Sequence, residues 1–293
     1  MYPKSIDIAQ DDITPSVDPF YYVAKAQVAI KEDNLHLVLE NLVMAHSIVP
    51  DEIDILAAIV EVQVKLEHWK QMLPILDLLI HLQPDELNWR VKRLAALMSC
   101  ENYEQVVKEA LPLLETYPKQ KEILDDLVSA YYHLNNFSLG LIAVNNLVEL
   151  NPGRGMVLRG LIYRSLGDKE RAKTDLLKAE SMGENSTSLF NALGALYLEW
   201  SKHEIALDYF CKALTLAGSD SLIAQIALNA SFSAMCLGDF DRGWQFYAYR
   251  KDTGVTKETS YLAWQGESLS GKHLVIRREQ GLGDEIRLSL IHI

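Results

Sequence analysis

The residues of this chain whose types and order could do chemistry lie late in the sequence. Glu279-Gln280-Gly281-Leu282-Gly283-Asp284-Glu285-Ile286 follows the apolar run Leu274-Val275-Ile276. A short buried strand, a glycine turn and a helix start form the first half of a βαβ unit. Turns of this kind hold dinucleotides when a third glycine completes G-x-G-x-x-G, but Ile286 occupies that place. The acidic pair Asp284-Glu285 would also repel a pyrophosphate. The loop of Gly281, Gly283 and Asp284 is better suited to a hydroxyl acceptor, with Asp284 as general base. A second reading, in which Asp284 caps the following helix, stands beside the first.

Elsewhere the chemistry is sparse. The eight histidines are scattered, and none forms HExxH or a close pair with another ligand. There is no G-x-S-x-G and no phosphate-binding P-loop. Cys100, Cys211 and Cys236 are far apart and form no CxxC, which argues against a zinc site or a disulfide framework and for a reducing, cytoplasmic compartment. The N-terminal residues carry Asp7, Asp11 and Asp12 and no apolar core, so they do not read as a signal peptide. No run approaches the length of a membrane span. A net charge of −12 and the lack of a basic stripe argue against nucleic acid as a partner.

The elements that must position these residues are set by a period. Pro50, Pro84, Pro118 and Pro152 are each 34 residues apart, the period of the tetratricopeptide repeat, a helix–turn–helix unit. Counting back from each proline places repeat starts near Pro19, Ile53, Leu87 and Lys121. Asp18-Pro19 suits a helix start, with Asp as N-cap and Pro in the first helical position. Leu35, Trp69, Tyr103 and Phe137 fill the bulky position at the inter-helix turn. A fifth repeat carries Gly160, Tyr163, Leu166-Gly167-Asp168, Ala172, Leu176 and Ala179, whose small residues allow close helix approach. A sixth carries Leu193-Gly194, Tyr197, Ala206, Phe210 and Ala213, and a seventh Leu237-Gly238-Asp239-Phe240. Pro74 and Pro112 fall inside second helices, where each removes a hydrogen bond and should bend the helix. The fold expected is all-α, a solenoid of about seven hairpins, followed by a linker and the first strand of a truncated α/β domain.

Solenoids of this kind bind extended peptides on the concave face, which the first helix of each repeat lines. The positions inferred there include Phe20, Gln27, Glu61, Lys65, Asp125, Tyr132, His133, Arg154, Arg164, Asn191 and Glu199. The strongest candidates are Asp125, Tyr132, His133, Arg164 and Asn191. Asp125 and Asp126, with Glu122, could attract a basic peptide; a plain solvated helix face is the alternative. The partner expected is a protein or peptide.

The C-terminal segment resembles bacterial tetratricopeptide-repeat glycosyltransferases. The resemblance rests on three motifs in register: Gly243-Trp244 with Tyr247 and Arg250, Trp264-Gln265-Gly266-Glu267-Ser268-Leu269-Ser270-Gly271-Lys272, and the Glu279–Asp284 turn. Ala248 stands where that family has an acidic residue, and the usual Pro before Trp264 is missing. The resemblance implies a two-domain GT-B enzyme that uses a nucleotide-sugar donor. It also implies a general-base role for Asp284, as in heptosyltransferase-like enzymes. The donor site of that family lies in a C-terminal half, so this chain alone is expected to bind no cofactor and to be inactive. The organisation expected is an N-terminal extension (1–18), repeats (19–250), a linker (251–272) and the start of a glycosyltransferase domain (273–287). Residues 288–293 read as the translated end of a sequencing adapter. The alternative to a glycosyltransferase piece is a stand-alone interaction scaffold.

Overall fold

The computed structural model describes residues 18–249, 264, 267–271 and 273. The expected strand at Leu274–Ile276 and the Gly281–Asp284 loop lie outside the described residues. Among the described residues there are 14 α-helices and no strand. The chain divides into two compact units, Met1–Leu150 and Asn151–Ile293.

The N-terminal unit holds four hairpins: α1 (Pro19–Lys31) with α2 (Leu35–Ile48), α3 (Ile53–Lys65) with α4 (Trp69–Leu82), α5 (Leu87–Ser99) with α6 (Tyr103–Thr116), and α7 (Lys121–His133) with α8 (Phe137–Leu150). The four first helices start where the period places them. Asp18 caps α1 by accepting from the Phe20 N–H at 2.9 Å, with Pro19 in the first turn. Leu35, Trp69, Tyr103 and Phe137 each open a second helix and are half-buried. Pro74 and Pro112 do not break α4 or α6, which continue past them. Each second helix packs on the first helix of the next hairpin, as α2 on α3, α4 on α5 and α6 on α7. The core follows that contact: Val38, Leu42 and Ala45 of α2 cluster with Ile55, Ile59 and Val62 of α3.

The C-terminal unit holds three: α9 (Pro152–Ser165) with α10 (Lys169–Ser181), α11 (Thr187–Glu199) with α12 (His203–Leu216), and α13 (Asp220–Cys236) with α14 (Phe240–Ala248). Unlike Pro50, Pro84 and Pro118, which sit in turns, Pro152 starts a helix, at the first position of α9. Its missing N–H would be unpaired there in any case.

All seven hairpins turn in the same way. One residue per turn takes a left-handed conformation: Asp33, Glu67, Glu101, Asn135, Gly167, Ser201 and Gly238. In each, two backbone bonds close the first helix. Asn34 N–H reaches Ala29 O at 3.0 Å while Asp33 N–H reaches Ile30 O at 3.1 Å, and Asp168 N–H reaches Tyr163 O at 2.9 Å while Gly167 N–H reaches Arg164 O at 3.0 Å. This pair of bonds satisfies carbonyls that a helix end otherwise leaves open.

Because the turns are alike, equivalent residues meet across every hairpin. At one such contact the first helix carries Gly160 or Gly194 and the second Leu176 or Phe210. A Cβ on Gly160 would lie 2.8 Å from Leu176 Cγ, and one on Gly194 would lie 2.6 Å from Phe210 Cδ1. The same register holds Ala26 with Leu42, Val60 with Leu76, Leu94 with Ala110 and Val128 with Val144. Size on one helix is thus traded against size on the other, as close packing requires. Phe210 is fully buried, so its ring has no open space to enter. Gly194→Ala is therefore expected to destabilise the chain by about 1–3 kcal/mol, against the ~1 kcal/mol by which Ala favours a helix over Gly. Urea unfolding checks this, and a cycle with Phe210→Leu should show coupling of about 1 kcal/mol or more.

Candidate functional site

The candidate residues distribute over both units. Asp125, Tyr132 and His133 lie on α7; Arg164 lies on α9 and Asn191 on α11. In the N-terminal unit the structure builds an aromatic cluster around two of them. The His133 ring stacks on Tyr103 with centroids 4.5 Å apart and planes 3° from parallel. Tyr132 meets His133 edge-on at 5.6 Å and Phe137 at 6.1 Å. Tyr103 and Phe137 were legible as turn-plugging residues but not as neighbours of this pair. Asp125 accepts from Ser129 Oγ at 3.4 Å, one turn on along α7. Glu61, on α3, is paired with Lys92 of α5 at 2.9 Å.

In the C-terminal unit α11 packs against both α9 and α13, so the first helices lie side by side. Arg164 Nε on α9 meets Glu199 Oε1 on α11 at 3.2 Å, and Lys169 Nζ reaches Glu199 Oε2 at 3.0 Å. Arg164 and Glu199, both groove candidates, are thus brought together. Asn191 is half-buried, and its side-chain carbonyl Oδ1 is buried without a hydrogen-bond partner. Phe232 of α13, not among the sequence candidates, is exposed on the neighbouring helix.

Other groups with chemical potential serve packing. Arg159 makes a two-pronged bond to Asp175 at 2.7 and 2.9 Å. Arg93 joins Glu109 at 2.9 and 3.1 Å and Asp77 at 2.7 Å. These pairs occupy equivalent positions of the fifth and third hairpins and tie first helix to second. The structure also corrects one expectation. His36 and His68 are a close pair, with ring centroids 6.1 Å apart, because the turn after α3 comes back to the start of α2. Among the described residues no third ligand joins them to complete a metal site. The loop of Gly281, Gly283 and Asp284 lies outside the described residues.

Partial desolvation of the ring of His133, a residue that stays exposed beside Tyr103, lowers its pKa below the usual value near 6.5, partly offset by the charge of Glu101. The unfolded chain then binds more protons than the native one near and below that value, so stability falls as pH drops through it and is full above it. His133→Phe keeps the stacking without the titration. It is expected to lose less melting temperature than the parent between neutral pH and pH about 5; an equal loss in both proteins would refute the assignment.

A family model described as tetratricopeptide repeat matches residues 153–184, the fifth hairpin. The chain is 29% identical over 153 residues to a TPR repeat-containing protein of Methanocaldococcus jannaschii, covering 50% of this chain and 25% of that one. It is 23% identical over 175 residues to protein FlbA of Caulobacter vibrioides, covering 58% and 29%. The chain therefore spans between a quarter and a third of the length of these curated relatives. Among solved structures, a tetratricopeptide repeat protein from Parabacteroides merdae is similar over 80% of this chain and 93% of that one, with TM-score 0.64 at 14% identity. The fold is that of a tetratricopeptide-repeat solenoid.

Proposed function

We propose that this chain is a protein-binding scaffold that holds an extended segment of a partner against its first helices. The observation that carries the reading is Asn191. A buried amide oxygen without a partner costs about 1–3 kcal/mol, and a backbone N–H from a bound peptide would recover that. Glu199, about two turns further along α11, and its partners Arg164 and Lys169 supply charge for register, and exposed Phe232 supplies an apolar contact. No helix among the described residues is long and apolar enough to cross a membrane.

A finer reading follows from the glycosyltransferase resemblance of residues 238–287. On it, the repeats deliver a protein acceptor to a nucleotide-sugar site in a larger parent, with Asp284 as the base. The motif Trp264-Gln265-Gly266-Glu267 and the Gly281-Leu282-Gly283-Asp284 turn support this reading.

The scaffold is tested by fluorescence polarisation of short labelled peptides, drawn from a random library, against the full chain. Binders are expected whose affinity falls about tenfold or more in Asn191→Leu and in Arg164→Ala, with helical circular dichroism unchanged. Equal affinities in parent and variants, or a library without binders, would overturn the site. The finer reading is tested separately, by sequencing an independently cloned gene past the codon for Arg287. A second Rossmann-like half is expected; an immediate stop codon would remove the transferase and leave the scaffold standing.

A further inference from the structure

We infer a second docking site, distinct from the first-helix face: a cleft between α6 and α8 that receives a phenylalanine or tryptophan side chain from a partner polypeptide. The cleft has a volume of about 310 Å³, at the small end of ligand sites. Leu124, Leu127 and Tyr131 of α7 line it, together with Leu114 of α6 and Ala143 of α8. Three further lining residues, Leu111, Leu139 and Ile142, are 45%, 43% and 66% exposed. Ile142 stands out by register. The equivalent positions of the other second helices hold Glu40, Pro74, Lys108, Thr174, Asp208 and Gln245.

The occupant is read from the same place in the C-terminal unit. There, Tyr209 of α12 fills the space between α10 and α12. Its hydroxyl donates to Glu180 Oε2 at 3.0 Å, and its ring stacks on Tyr197 at 5.7 Å and Phe190 at 6.2 Å. Lys212 lies over the ring at 4.7 Å. Between α6 and α8 each of these neighbours has its counterpart in the cleft wall: Leu114 for Glu180, Tyr131 for Tyr197, Leu124 for Phe190 and Asn146 for Lys212. Only the ring itself is missing, because Ala143 stands where Tyr209 would be. The walls of an aromatic socket are present without their aromatic side chain. Tyr131 offers a face for stacking. Leu114 offers no acceptor where Glu180 takes the Tyr209 hydroxyl, so phenylalanine fits better than tyrosine, whose hydroxyl would be buried unpaired, and an indole fits where its N–H turns to the amide of Asn146 in the cleft wall. The corresponding positions with an earlier hairpin in the same unit carry Ile75, Glu109, Tyr209 and Phe246, all large.

The test uses the full chain labelled on Ile and Leu methyls, with N-acetyl-phenylalaninamide and N-acetyl-tryptophanamide as probes and N-acetyl-lysinamide as control. Saturable NMR shifts are expected at Leu111, Leu114, Leu139 and Ile142, and not with the lysine amide. Ala143→Phe places a ring in the socket and should weaken probe binding about tenfold or more without lowering the melting temperature. Ile142→Asp changes an exposed residue and should weaken binding similarly in a folded protein, which keeps the test decisive if Ala143→Phe fails to fold. Shifts spread over the molecule, an equal response to the lysine amide, no saturation, or unchanged binding in both variants would overturn the proposal. So would a dimer by sedimentation that Ile142→Asp dissociates, which would assign the cleft to a second copy. Contacts from residues 1–17 to these methyls would assign it to the chain itself, with the same consequence.

Discussion

The left-handed residue at each hairpin turn is the constraint on which the other contacts depend. It lets the chain end one helix, satisfy its last carbonyls and start the next within a few residues. Five of the seven turns place a non-glycine there: Asp33, Glu67, Glu101, Asn135 and Ser201. Outside glycine this conformation costs roughly 1–2 kcal/mol, less for Asn and Asp. It persists because the two helices it joins bury their shared face, as Leu56, Val60 and Leu76 do in the second hairpin. The turn is local, but its stability is supplied by packing.

A fixed turn means a fixed register, and register turns substitution into prediction. The partner of Gly194 must be large and the partner of Leu94 small, because their backbones stand in equivalent relation. The bonds Arg159–Asp175 and Arg93–Glu109 recur for the same reason. The same logic distinguishes Tyr209 from Ala143. One side chain fills a groove between second helices, and the other leaves it open. An omitted side chain thus opens a groove at a position that its counterpart fills.

The sequence carried the period of the fold because prolines, turn-opening aromatics and small residues are local signals. Hairpin starts at Pro19, Ile53, Leu87 and Lys121 coincide with α1, α3, α5 and α7. The site was less legible. Tyr132 and His133 could be placed on a first helix, but the stacking of His133 on Tyr103 is a contact between successive hairpins. It depends on the angle at which α7 meets α6, and no residue type announces that angle. The His36–His68 approach was missed for the same reason. The cleft left no pattern in any single helix, since it shows only when four helices are compared position by position. Asn191 looked like one polar groove residue among many until its oxygen proved buried.

Among the described residues, α1 and α14 expose apolar side chains at positions that are buried or half-buried in other repeats. In α1, Tyr21 and Val28 hold the positions at which Ile55 and Val62 of α3 are buried against the preceding hairpin, yet both are exposed. Lys25, over the Tyr21 ring at 4.5 Å, shares that face and puts a charge where Ile59 is buried in α3. In α14, Phe240 and Trp244 are exposed where Leu35 and Leu39 of α2 are partly buried. These apolar faces correspond to the two sides of the contact that α2 and α3 bury, so copies of the chain could meet through them. The net charge of −12 opposes that, since like-charged chains repel before apolar surface can be removed from water. That repulsion acts across the salt-screening distance, whereas apolar contact acts only once water is expelled, so charge opposes the approach before the exposed faces of α1 and α14 can gain from it.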